Sequence, residues 1–250
     1  MTAPAPPAKP YTWAHLRRFT EARIALGHAG CGLPTAAHLA FQAAHAQARD
    51  AVHAALDTDA LMAALAERGW PAVVVASAAP DRATYLTRPD LGRVLSQESE
   101  RRLSEPATAP DVVLVVGDGL SGTAVRANAL PVLDALVPRL HAAGRRTGPV
   151  VVATQARVAL GDPVGEILQA KAAIVLIGER PGLSAADSLG LYLTWMPRRG
   201  RVDAERNCIS NVRAGGLAPE TAAEQAAALV EAMFAARASG IALKSLQLPR

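Results

Sequence analysis

The stretch AAIVLIGERPGLSAADSLGLYLTW, residues 172–195, decides the fold. Residues 173–177 are aliphatic without interruption, the pattern of a strand buried on both faces. Gly178 ends the run, and Glu179 and Arg180 put two charges at its C-terminal mouth. Pro181 and Gly182 force a turn. Ser184 and Asp187 have capping-box spacing, which predicts a short helix there. Residues 189–195 return to strand-forming types. Open α/β sheets place ligand contacts at the C-terminal ends of buried strands, so the question is what Glu179 and Arg180 face.

Outward from this stretch, strands are expected at 72–77, 112–116 and 150–154. Helices are expected from Ser121 to about Ala143, from Asp162 to near Ala170, and over 219–239, where Ala222, Ala226, Leu229 and Met233 share a face. Residues 82–103 read as turns followed by a helix from about Leu91, and 197–216 as a long polar loop. Strands alternating with helices imply an α/β fold, a doubly wound and mostly parallel sheet with right-handed crossovers. Before it, 11–26 reads as a helix striped by Trp13, Leu16, Phe19 and Ile24. Thr35 is a candidate cap for a helix running to about Leu56, and 59–69 is a further short helix. The chain thus divides into a Pro/Ala-rich disordered tail (1–10), an N-terminal helical arm or lobe (11–70) and an α/β domain (71–250).

Composition narrows the function. With 250 residues, half of them hydrophobic, the chain can bury a sizeable core. The net charge is +4, carried almost wholly by arginine, since lysine occurs only at Lys9, Lys171 and Lys244. No basic block interleaved with aromatics appears, which argues against nucleic acid. No long uncharged apolar run argues for a membrane span. Cys31 and Cys208 are far apart, which argues against a disulfide framework or structural zinc site and fits a reducing compartment.

The chemistry-bearing candidates are few. Asp118-Gly119-Leu120-Ser121 sits at a strand-to-helix turn, but it is no dinucleotide fingerprint, and Asp118 would repel a pyrophosphate. Its plain reading is a helix start capped by Ser121. His38, His45 and His53 lie along one predicted helix without the i, i+4 pairing that a metal needs, so they suit a face touching a partner chain. Cys208 has no histidine near it in sequence to act as a base, and reads as a ligand-lining side chain. The chain looks like a binder more than a catalyst, with no catalytic constellation of its own and no metal site.

Six separated motifs then resemble one family, in order over roughly residues 17–245. They are RIALG with GCGLP (23–34), HAQARDAVH (45–53), DGLS (118–121), RVALGD (157–162), LIGERPGLS (176–184) and DAERNCISN (203–211). The chain resembles the small (light) subunit of ethanolamine ammonia-lyase. The resemblance implies a Rossmann-like domain over 71–250 and an adenosylcobalamin-dependent lyase that converts ethanolamine to acetaldehyde and ammonia. It implies a large TIM-barrel partner carrying the catalytic residues, a hetero-oligomer of dodecamer size, and cobalamin held at the subunit interface. The family's cobalamin contacts fall on Val158, Glu179 and Cys208. No Asp-x-His-x-x-Gly run is present to donate a histidine to cobalt. The start of the chain is shorter than in relatives that enter a bacterial microcompartment and lacks an amphipathic targeting helix. That disfavours encapsulation and makes a cytoplasmic enzyme the expectation. The competing readings are a stand-alone nucleotide-binding α/β protein and a purely structural scaffold subunit.

Overall fold

A computed structural model describes residues 12–103 and 108–247. The predicted disordered tail, 1–10, lies outside the described residues. Six strands form one mixed sheet: β1 (Ala72–Ala76), β2 (Val112–Gly117), β3 (Thr147–Thr154), β4 (Ala172–Gly178), β5 (Leu189–Trp195) and β6 (Arg206–Val212). Their order across the sheet is β1-β3-β2-β4-β5-β6. The first four are mutually parallel, whereas β5 pairs antiparallel with β4, and β6 antiparallel with β5.

β2 and β4 are buried at every position. Alternate residues feed two cores, one on each face of the sheet. Val112, Leu114, Val116, Ile174 and Leu176 pack against the helix α5 (Gly122–Ala142) and the helix α7 (Pro219–Ala236). Val113, Val115, Ala173, Val175 and Ile177 pack against Leu160, Val164 and Leu168 around the helix α6 (Gly161–Ile167). A parallel strand covered on both faces has no wet side to alternate with, hence its unbroken apolar run. Two short helices, α3 (Arg82–Thr87) and α4 (Gln97–Arg102), separate β1 from β2, and α8 (Gly240–Gln247) follows α7.

Several expectations are corrected. The loop between β4 and β5 holds no helix: Gly182 and Ala185 bridge to each other and the chain turns directly back. A connection this short cannot cross over to a parallel partner, so β5 must run antiparallel. The polar stretch 197–216 contains the strand β6, whose outer positions are wet. The first helix is a 3-10 turn, Thr12–Phe19, that stops well before Leu26. Arg17 folds the chain back by donating to the carbonyls of Ile24, at 2.9 Å, and Ala25. Trp13 and Phe19 are exposed rather than forming a packed stripe.

Thr35 is the first residue of α1 (Thr35–His53), and the position before it is Pro34, so Thr35 caps nothing. In α1 only Ala51 is buried. The next helix, α2 (Thr58–Glu67), is capped by Asp57 and buries Leu61 and Leu65 in the α5 side of the core.

Candidate functional site

The C-terminal ends of the parallel strands meet at a hollow of about 440 Å³. Gly119 and Leu120 enter it from the turn after β2, Arg157 and Val158 from the turn after β3, and Ile177 to Arg180 from the end of β4. Tyr85 of α3 and Tyr192 of β5 complete the wall. A hollow of about 520 Å³ at the opposite end of the sheet, around Trp70, Pro110 and Gly148, holds none of the residues picked out by sequence.

The turns converge because backbone meets backbone. Gly119 has φ +55°, and a Cβ there would sit 2.3 Å from the Gly178 carbonyl oxygen. The next N–H, that of Leu120, donates to the same carbonyl at 2.9 Å. Asp118 is structural: its carboxylate accepts the backbone N–H groups of Gln155 and Ala156, each at 2.9 Å, tying the β2 turn to the β3 turn. Burial holds the Asp118 carboxyl above its ordinary value, a rise those two donors reduce without cancelling. Ser121 caps α5 as expected, accepting from the N–H of Ala124 and donating to the Ala186 carbonyl. Arg82 donates to the carbonyls of Val52 and Gly119, linking the end of α1 to the same turn.

Tyr85 stiffens the opposite wall. Its hydroxyl donates to the Ala156 carbonyl at 2.9 Å. The guanidinium groups of Arg157 and Arg82 lie 4.3 and 4.8 Å from its ring centre. Desolvation pushes the Tyr85 hydroxyl up to about 12, so it stays a neutral donor.

Val158 and Glu179 share the hollow. Cys208 is not among its lining residues; it lies on β6 directly opposite Tyr192. One oxygen of Glu179, Oε2, accepts the Ser188 hydroxyl at 2.5 Å and the Asn211 N–H at 3.1 Å. Arg180 is exposed and, among the described residues, makes no ion pair with Asp187 or any other acid. Cys208 is exposed as a residue, yet desolvation by the surrounding sheet and the nearby Glu179 push its thiol above the ordinary value. The Tyr192 hydroxyl pulls the other way through a hydrogen bond. Cys208 is therefore a thiol at neutral pH, suited to lining a site and unsuited to nucleophilic attack. Sequence reading missed Tyr85, Ser188, Tyr192 and Asn211. Ser188 and Tyr192 stood within the opening stretch, but only the hairpin register brings them beside Glu179.

The family model of the ethanolamine ammonia-lyase light chain matches residues 10–244. The chain belongs to this family. An ethanolamine ammonia-lyase small subunit from Azotobacter vinelandii is 52% identical over 242 residues, covering 95% of this chain and 90% of the relative. One from Xanthomonas campestris pv. campestris is 51% identical over 248 residues, covering 98% of this chain and 91% of the relative. One from Pseudomonas syringae pv. tomato is 51% identical over 244 residues, covering 96% and 84%. Within the light-chain family, then, this member builds its hollow from three of the six motifs: the turn after β2, the turn after β3 and the end of β4.

Proposed function

We propose that this chain is the small subunit of an adenosylcobalamin-dependent ethanolamine ammonia-lyase, gripping one edge of the cofactor where it meets a large subunit. Ethanolamine would be converted to acetaldehyde and ammonia on that partner, a TIM barrel holding the catalytic residues. The carrying observation is that Val158 and Glu179 face one hollow at the C-terminal strand edge, with Cys208 opposite Tyr192 on the same sheet. The reading takes the sheet as a doubly wound, Rossmann-like one, with 71–250 as the cofactor-contacting domain and 11–70 as an arm. Switch points of such sheets bind ligands outside the strands' carboxyl ends.

The residues fit an edge of a cobalamin. The hollow is at the low end of the range that encloses a whole drug-sized ligand, about 300–1,000 Å³, so a larger cofactor needs a second wall from a partner. Glu179 would accept a hydrogen bond from a corrin side-chain amide or a ribose hydroxyl of the nucleotide tail. Val158, half-buried, would cover apolar surface, and the neutral Cys208 thiol would pack without reacting. Bound adenosylcobalamin supplies the radical through homolysis of its cobalt–carbon bond; the chain's part is orientation and exclusion of water. A stand-alone nucleotide-binding role is disfavoured by Asp118, an acid committed to two backbone donors where a phosphate would sit. A purely structural subunit is disfavoured by Glu179, which keeps one carboxylate oxygen unengaged among the described residues. We place the assembly in the cytoplasm as a dodecamer of large and small subunits; among the described residues no helix is long and apolar enough to cross a membrane.

The test is reconstitution. Purified chain mixed with the large subunit and adenosylcobalamin should release ammonia from ethanolamine, and Glu179→Ala should raise the cobalamin requirement with little change in the KM for ethanolamine. Full turnover by the large subunit alone would refute the role, and unchanged cobalamin dependence would remove Glu179 from the site.

A further inference from the structure

Glu179 is held in an unusual way. The backbone N–H of Glu179 donates to the Ser188 carbonyl at 2.9 Å, closing the β4–β5 hairpin one step beyond the Gly178–Leu189 pair. The side chains repeat the link, since the buried Ser188 hydroxyl donates to Glu179 Oε2. The backbone of Asn211, in the left-handed region at φ +60°, aims its N–H at the same oxygen. Below lies Gly190, where a Cβ would sit 2.9 Å from Glu179 Oε1 and 3.2 Å from its Cγ. The carboxylate thus lies flat on the one β5 position that has no side chain. Oε1 accepts no hydrogen bond among the described residues. A carboxylate serving only to clamp β4 to β6 would have no use for a second, unengaged oxygen resting over bare backbone.

The geometry points to Ser188 as a positioning residue and to Gly190 as the platform for Glu179. Together they engage Oε2 internally and hold Oε1 over Gly190 as the one unengaged acceptor for an N–H or O–H of the ligand. This rests on the cofactor-contact reading of Glu179 and deepens it. A free Glu side chain loses rotamer freedom when a ligand orders it; here the ordering is completed on folding, so binding does not bear that cost. Loss of either support should weaken binding by up to about tenfold.

The experiment uses the complex of this chain with its large subunit and cyanocobalamin, which supports no turnover, in equilibrium dialysis read by corrin absorbance. Ser188→Ala and Gly190→Ala should each weaken retention by up to about tenfold, and Ser188→Thr, which keeps the hydroxyl, should restore most of it. In a Glu179→Ala background neither change should weaken binding further. Gly190→Ala keeps the test informative if Ser188→Ala misfolds, because its new methyl meets only side-chain atoms, Glu179 Oε1 and Cγ and the Tyr192 ring edge at 3.1 Å, and no backbone. Unchanged binding in both variants while Glu179→Ala weakens it overturns the positioning role and leaves the Glu179 contact standing. Losses that add to that of Glu179→Ala overturn it as well, since they would be structural. No effect of Glu179→Ala removes the contact and the inference together.

Discussion

Removing the carboxylate of Asp162 is the sharpest test of what holds β6 to the fold. Arg206, at the start of β6, meets Asp162, in the first turn of α6, through two bonds of 2.7 Å each. The side chains are 3% and 4% exposed. Arg206 also donates to Thr194 Oγ1 at 3.0 Å and to the Arg201 carbonyl at 3.2 Å. Burial alone would lower the Arg206 guanidinium below its ordinary value, and the Asp162 carboxylate outweighs that and holds it above. Asp162→Ala strips the buried countercharge, leaving the guanidinium with orphaned donors and only the exposed Asp203 carboxylate, 3.6 Å from its Nε, to offset it, a loss of about 3–5 kcal/mol. In a chain of this length each kcal/mol moves Tm by about 2–4 °C, so calorimetry should record a drop of roughly 6–20 °C. Asp162→Leu combined with Arg206→Met removes both charges and should recover most of that loss, because an apolar pair avoids desolvation. The exposed Arg88–Asp90 pair is the control; its removal should leave Tm nearly unchanged. A drop for Asp162→Ala no larger than the control's, or a double variant worse than the single one, would refute the reasoning.

Two further outcomes are expected. Asp111 is held below the ordinary carboxylate value: desolvation raises it, but Lys171 at 2.9 Å and the N–H of Arg146 at 3.1 Å outweigh that. A depressed carboxyl stabilises above its unfolded value of 3.8 and loses that contribution as pH falls through the lower folded value. The Tm gap between the native chain and Asp111→Asn should therefore be open at neutral pH and close under acid; a gap constant with pH would refute the assignment. Gly119→Ala should cost at least about 2 kcal/mol, since its methyl meets the Gly178 carbonyl and Ile177 Cγ1 at 2.3 and 2.5 Å; an unchanged urea midpoint would count against that packing.

The sequence made the interior legible and the margins less so. β2 and β4 announced themselves because burial on both faces leaves no polar residue in the run. Ser121 announced α5 because a cap is a local interaction between residues close in the chain. β6 stayed hidden, since RNCISNV is an edge strand whose polar residues face either solvent or buried partners such as Asp162, and no periodicity survives that mixture. The first helix was overextended because its stripe ignored Ala25, at φ +52°, and the reach of Arg17 to the following carbonyls. At the site, the charges at the mouth of β4 and the motif residue Val158 could be picked out in advance. The buried role of Asp118 and the grip of Ser188 on Glu179 depend on contacts across strands, which the linear order does not display.

The reversal of direction at β5 also sets where the molecule can be handled. Because β5 begins and β6 ends beside Glu179, residues 180–188 and 213–218 leave the sheet at the same end as the hollow. The turn at 196–201 leaves the sheet at the other end, where Met196 pairs with Lys171 before β4 begins. A fluorophore or affinity handle carried at Arg198, an exposed residue of that turn, would keep the hollow's end of the sheet free for a partner. The same handle spliced into 181–187 would stand in the doorway.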